Sequence, residues 1–478
     1  MSEHGAIGAG RGLALRGSAW DSATTTHFWW SRTGQRITGL DPKTLITAYL
    51  FLLMFIPSAL IFAPLGGAGT PALALSLLIL LWYTISWISG SIVPASSGRP
   101  VRVAMCLFVV TILISFVAAM TRNITSVEAL SADRGLIIAT AWAGLIIVIS
   151  QSIKRFDDIY ILIRRAVIFG TIVAAIGIFE SYSDINVTRY LQIPGLSVNA
   201  AVSATDVYRN GLLRPSSTAS QPIEFSVVMA MLLPFALQQA LDSGRKGSLR
   251  KWAPVALIGF AIPMSVSRSG IVAAAIALLL FVPTWRPRQR WTFLAICAAS
   301  LLPLHFVAPG LIGTLTSYFQ GLRGSAGSTS VVTRTSDYSR DWPYVVQRPV
   351  TGRGFGTFIP QVYGFTDNAY LHELIEGGAL GLAALLVLYL AGVHSGAAGR
   401  RMAGDERRRG FGQALVGSVA AAAVASATFD SLDFPMFAGL MFLILGVAGA
   451  YSGIMTGENR ETLQFSATAT PQDRLGDE

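Results

Sequence analysis

Charge is what this sequence has least of. Only 13% of its 478 residues are Asp, Glu, Lys or Arg, and 52% are hydrophobic; a typical soluble domain carries about 25% charged residues. No soluble core of this size needs so much apolar side chain, and only a polytopic membrane protein fits. Cysteine is nearly absent. Cys106 and Cys297 both lie inside apolar runs, so they offer no disulfide framework or metal spacing and are expected to be inert core thiols. Lysine occurs only at positions 43, 154, 246 and 251. No P-loop, zinc-ligand pattern or Ser/His/Asp constellation occurs, which argues against ATP-driven phosphate chemistry and against a bound metal or other cofactor. The lack of an internal repeat argues against a transporter built from related halves.

What is present is one apolar run after another. Runs of about 20 residues with few charges read as membrane-spanning helices. They predict an all-α fold of about twelve, near 45–62, 72–90, 102–120, 135–150, 160–180, 221–241, 252–266, 269–284, 291–309, 369–396, 411–429 and 434–453. Residues 1–44 and 457–478 read as polar, disordered tails. The first apolar run begins near Leu45 and leads into others, so it is expected to stay as an anchor and not to be cleaved.

The net charge of +10 could suggest nucleic acid, but in a membrane protein it reflects basic cytoplasmic loops. Placing both termini in the cytoplasm gathers all four lysines inside, along with Arg99, Arg102, Arg155, Arg245, Arg250, Arg286, Arg288, Arg290, Arg400, Arg401, Arg407, Arg408 and Arg409. The basic residues left outside are all arginines.

Two outer loops are long, about 181–220 and 310–366, and loops of such length are commonly functional. The larger one, between helices 9 and 10, starts with the linker-like GLRGSAGSTS and holds a short helix expected from Asp341, with Pro343 in its first turn. Gly352, Gly354 and Gly356 lack the βαβ context of a dinucleotide site and read as a tight turn that lets backbone approach other groups closely.

Arg214, in RNGLLRPSSTASQP, and Arg268, in SRSG, adjoin apolar runs. A charge pinned at a membrane face is a functional candidate, and the fitting partner for outward arginines is a phosphate or pyrophosphate; the alternative is pairing with Glu224, Asp430 or Asp433. In DNAYLHELIEGG, Asn368, His372 and Glu376 share one helix face, with Asp367 and Tyr370 on a neighbouring one. A carboxylate or imidazole there could take a proton from a sugar hydroxyl. Asp367 reads equally as an N-cap, and His372 as a structural histidine.

With these residues in order, the chain resembles the O-antigen ligase and O-antigen polymerase family of membrane glycosyltransferases, from about the fifth helix to the last. The resemblance rests on RNGLLRPSSTASQP, SRSG, RDWPYVVQRPVTGRGFGTF and NAYLHELIEGGALGL. It implies that Arg214 and Arg268 grip the pyrophosphate of an undecaprenyl-linked oligosaccharide, helped by Arg334 or Arg340. It also implies a metal-independent reaction at the outer face of the bacterial inner membrane. Asp367 is the implied base, and Asn368, Tyr370, His372 and Glu376 lie on the acceptor side. Ligases of this family typically carry histidine where Asp367 stands, which points to a polymerase of capsule, exopolysaccharide or O-antigen-like units. Ligation to a lipid, protein or wall acceptor is the second reading, and a polysaccharide transporter is a third of another class. The implied partners are the lipid-linked oligosaccharide, membrane lipid and polysaccharide export proteins.

Overall fold

The computed structural model describes residues 41–90, 99–199, 208–209, 212–242, 249–285, 287, 290–291 and 329–468. The chain is all-α. Its helices are α1 (Pro42–Phe55), α2 (Pro71–Ile88), α3 (Arg99–Met120), α4 (Ser126–Ser152), α5 (Phe156–Ser183), α6 (Pro222–Asp242) and α7 (Ala253–Met264). They continue with α8 (Arg268–Phe281), α9 (Thr329–Gln347), α10 (Ala369–Glu376), α11 (Gly378–Met402), α12 (Glu406–Ser426) and α13 (Pro435–Thr468). Short 3-10 turns, a one-turn helix at Pro360–Tyr363 and two minimal antiparallel strand pairs accompany them: Leu60–Ile61 with Ser197–Val198, distant in sequence, and the hairpin Tyr208–Arg209 with Leu212–Leu213.

Seven of these helices are long and apolar enough to cross a membrane, and α1, α7 and α8 are shorter apolar helices. The chain is thus a multi-pass membrane protein. Eleven of the twelve expected runs fall on helices among the described residues; the ninth lies outside them from 292 to 309, as do residues 1–40, Cys297 and residues 321–328 of the GLRGSAGSTS patch.

The starts follow local chemistry. Pro42 and Pro71 occupy first-turn positions behind the caps Asp41 and Thr70, where a missing N–H costs nothing. Thr125 and Glu128 form a reciprocal capping box that starts α4. This box makes α4 27 residues long, against the short run expected at 135–150; its first turns carry Glu128, Asp133 and Arg134, which hide it from a hydropathy reading.

α6 and α13 form the centre, with 89% and 94% of their apolar windows buried, against 28% for α2. α12 packs on α8, α11 and α6 through small residues. Gly396 of α11 lies where a Cβ would stand 3.2 Å from the carbonyl of Gly412, a close backbone approach typical of membrane helices. The outward faces of α2 and α3 expose Leu78, Leu81, Ile85, Leu107, Val110 and Val117, which suits lipid. Cys106 is on this exposed face, so it is not the core thiol that its apolar run suggests.

Two ends can be told apart. At one, Lys43 bridges to Asp158 at 3.1 Å, and Arg407 bonds Asp242 at 2.8 Å while its guanidinium lies over Tyr160. At the other, buried Glu224 accepts from Ser58, Ser220, Met436 and Phe437, which ties the starts of α6 and α13 together.

Three expectations change. The helix placed from Asp341 runs from Thr329 to Gln347, with Pro343 in its interior and Asp341 fully buried. The tenth run is two helices, broken at Gly377–Gly378. The C-terminal segment after Gly457 stays helical as far as Thr468. Helical stretches as polar in sequence as 329–341 and 457–468 read locally as loop or tail.

Candidate active site

The 214–220 segment is tied to α5 and α1 by hydrogen bonds. The Ser217 N–H donates to Glu180 at 2.7 Å, and the Thr218 hydroxyl to the Met54 carbonyl at 2.6 Å. This anchorage sets Arg214, whose Nε donates to the Ser265 carbonyl at 2.9 Å. Ser267 then caps α8, and Arg268 is its first residue. Two arginines 54 positions apart in the sequence therefore meet one turn, beside the positive end of a helix dipole. Of the expected alternative partners Glu224, Asp430 and Asp433, Glu224 accepts from the start of α13, Asp430 faces His372 and Asp433 lines the cavity described below.

The glycine turn is built against the α10–α11 break. Gly352, Gly354 and Gly356 have φ of 70°, 126° and 74°, conformations that only glycine adopts easily. A Cβ on Gly352 would stand 2.0 Å from the Glu376 carbonyl. The turn satisfies the orphan groups of the break. The N–H groups of Arg353 and Gly354 donate to the carbonyls of Ile375 and Glu376, and those of Ala379 and Leu380 to Pro349 and Val350. The Glu376 carboxylate accepts from the N–H of Gly356 at 2.7 Å and of Phe358 at 2.8 Å. The reading of a tight turn that permits close approach is borne out, and Glu376 is its buckle.

A cavity of 730 Å³ opens beside this turn, lined from the Gly66–Thr70 stretch, α4, the glycine turn, α10 and residues 429–439. Asp367, His372, Glu373, Glu376, Asp430 and Asp433 all line it. Asp367 is exposed there, and the N-cap is Asn368, whose side chain accepts from the N–H of Tyr370 and Leu371.

His372 is held between two carboxylates, with Nε2 3.3 Å from Glu376 and Nδ1 against Asp430. α10 precedes the membrane span that begins at Gly378. Burial alone would lower the imidazole pKa, but Asp430 and Glu376 outweigh it and hold it well above the usual range. Burial, reinforced by the Glu376 charge, pushes Glu373 up to about 8. Asp433 is open to the cavity but surrounded by protein; loss of bulk water, then repulsion from Asp430, pushes it up to about 7. His372, Asp430 and Asp433 present ligand atoms within 4.8 Å of one another, the spacing of a metal site. Both imidazole nitrogens already face carboxylates, so the group reads first as an ion-pair cluster.

The other expected residues serve the frame. Arg340 bonds Asp341 at 2.7 Å and the Phe365 carbonyl at 2.7 Å, and Asp341 accepts from Thr366, which together fix the loop before Asp367. Asn368 donates to Tyr338 of α9. Tyr370 donates to the Ala423 carbonyl, so it braces α12 and is not among the cavity residues. Only the backbone of Arg334, on α9, is described. Arg214 and Arg268 are not among the lining residues either. Glu373, Asp430 and Asp433 were legible only as isolated acids, because the approach of 430–433 to α10 is tertiary.

Residues 253–386 match the O-antigen ligase family. The matched span includes Arg268, α9, the glycine turn and α10. It supports a glycosyltransferase of the O-antigen ligase and polymerase type in general, acting on lipid-linked oligosaccharide at a membrane. No curated protein matches the chain.

Proposed function

Taking the O-antigen ligase match over residues 253–386 as premise, we propose that the protein polymerises undecaprenyl-pyrophosphate-linked oligosaccharide repeat units at the outer face of the bacterial inner membrane. The observation that carries this reading is the placement of Asp367, exposed in a cavity beside the membrane spans and held there by the Arg340–Asp341–Thr366 frame. Both termini lie in the cytoplasm, with the Lys43 and Arg407 end inside.

A hydroxyl of the acceptor sugar attacks the anomeric carbon of the donor sugar. Its proton passes to Asp367, a glycosidic bond forms, and the bond to the lipid pyrophosphate breaks. Arg214 and Arg268, with the α8 N-terminus, stabilise the charge gathering on the leaving pyrophosphate. Arginine supplies this stabilisation without a metal. Arg340 and Asn368 act by positioning Asp367. Membrane lipid surrounds the substrate, and polysaccharide export proteins receive the product.

The second reading is ligation of a finished glycan to another acceptor. Incubating the purified protein with lipid-linked oligosaccharide and sizing the products separates the two. A ladder of lengths supports polymerisation, a single transfer to a second acceptor supports ligation, and no new bond overturns both.

A further inference from the structure

Three arginines reach the cavity end from the α3–α4 link, α4 and the glycine turn. Arg122 and Arg353 share Glu128, at 3.0 and 4.0 Å. Arg134 does not. Among the described residues it is the one arginine or lysine that lines the cavity, and no carboxylate lies within ion-pair distance of it. Its one hydrogen bond there is from Nη2 to the Pro64 carbonyl at 3.4 Å, at the long limit for such a bond. Its Nε is buried without a partner.

The backbone makes room for this guanidinium. Gly66 has φ of +53°, and a Cβ there would stand 2.6 Å from Nη1 of Arg134, so the fold leaves a side-chain-free bed beneath the charge. Arg134 is half-buried, and holding a guanidinium partly out of water without a counter-charge carries a cost. A forked cation that lines a cavity and has no carboxylate partner there is complementary to a planar or tetrahedral oxyanion. The same cavity contains Asp367, whereas Arg214 and Arg268 do not line it.

We propose that Arg134 is a second oxyanion seat, which receives a phosphate, pyrophosphate or carboxylate group of the acceptor molecule. The assignment to the acceptor rests on the reading of Asp367 as the acceptor-side base; the seat itself rests on geometry alone. Two seats mean that both molecules to be joined are anionic, as two lipid-pyrophosphate-linked units are.

The test is calorimetric binding of farnesyl pyrophosphate to the full chain in detergent, with farnesol as the uncharged control. Wild-type protein takes up two equivalents of farnesyl pyrophosphate. Arg134→Gln weakens one class of site by at least about tenfold, about 1.4 kcal/mol. Arg134→Lys, which keeps the charge and protects against a folding defect, falls in between. Thermal unfolding checks that each variant is folded. Arg214→Gln removes the other class; if it changes nothing while Arg134→Gln does, the donor reading fails and the seat stands. Wild-type binding in both Arg134 variants, or equal affinity for farnesol, overturns the seat. Displacement of the Arg134-dependent class by phosphatidylglycerol but not phosphatidylcholine would assign it to a bilayer headgroup and overturn the acceptor role.

Discussion

Nε2 of His372 lies 3.3 Å from Oε1 of Glu376, one turn further along α10. With Nδ1 against Asp430, both imidazole nitrogens face carboxylates, and the ring works as a cationic rivet between α10 and the 430–433 turn. An imidazole so held has no lone pair free to take a proton, which favours a supporting role for His372 over that of a base.

The rivet should be sensitive to pH. The folded imidazole titrates well above its usual value of 6.5. Its contribution to stability is therefore complete below the unfolded value and is lost as pH rises through the folded one. The unfolding temperature of wild-type protein should exceed that of His372→Gln most at pH 6, with the gap closing toward pH 10. A gap independent of pH would show that charge is not what holds the ring.

Gly352 cannot accept a side chain. Gly352→Ala combines a left-handed backbone with a Cβ 2.0 Å from the Glu376 carbonyl, and should cost about 2–4 kcal/mol. Gly457→Ala, which meets nothing within 4 Å, should stay within about 1 kcal/mol of wild type. Thermal unfolding in detergent compares the two, and equal midpoints would refute the close-approach account.

Removing the buckle should free the outer loop. Glu376→Ala strands the N–H groups of Gly356 and Phe358, at about 1–3 kcal/mol each. Proteolysis should then cut within 348–366 in the variant before it cuts the helices; an unchanged digestion pattern would count against the role.

Asp367 and its neighbour Asn368 should separate chemistry from capping. Asp367 is exposed in the cavity, so Asp367→Asn should leave stability within about 0.5 kcal/mol and reduce glycosyl transfer about 100-fold or more. Asn368→Ala removes the cap of α10 and should cost about 1 kcal/mol of stability. Polymer length and yield unchanged in Asp367→Asn would end its candidacy as the base.

Arg268→Lys keeps the charge but loses the fork. Transfer should fall by about tenfold or more, the weight of one charge-assisted hydrogen bond. Wild-type rates would argue against bidentate phosphate contact.

The helices were readable in the sequence because a bilayer demands apolar runs of a set length; the starts set by Thr70, Thr125 and Ser267 emerged only with the structure, although their capping chemistry is local. The glycine turn was readable for a similar reason: three glycines at spacing two need no partner to declare a positive φ. What the chain alone could not convey is which polar groups meet. His372 acquires its meaning from Asp430, 58 positions away, and Arg214 from a carbonyl beside Arg268. Arg134 stands out only once Arg122 and Arg353 are seen to share Glu128. Caps and spans depend on neighbours within a turn or on the solvent, and so are encoded locally; ion pairs and cavities depend on helices that only tertiary packing brings together.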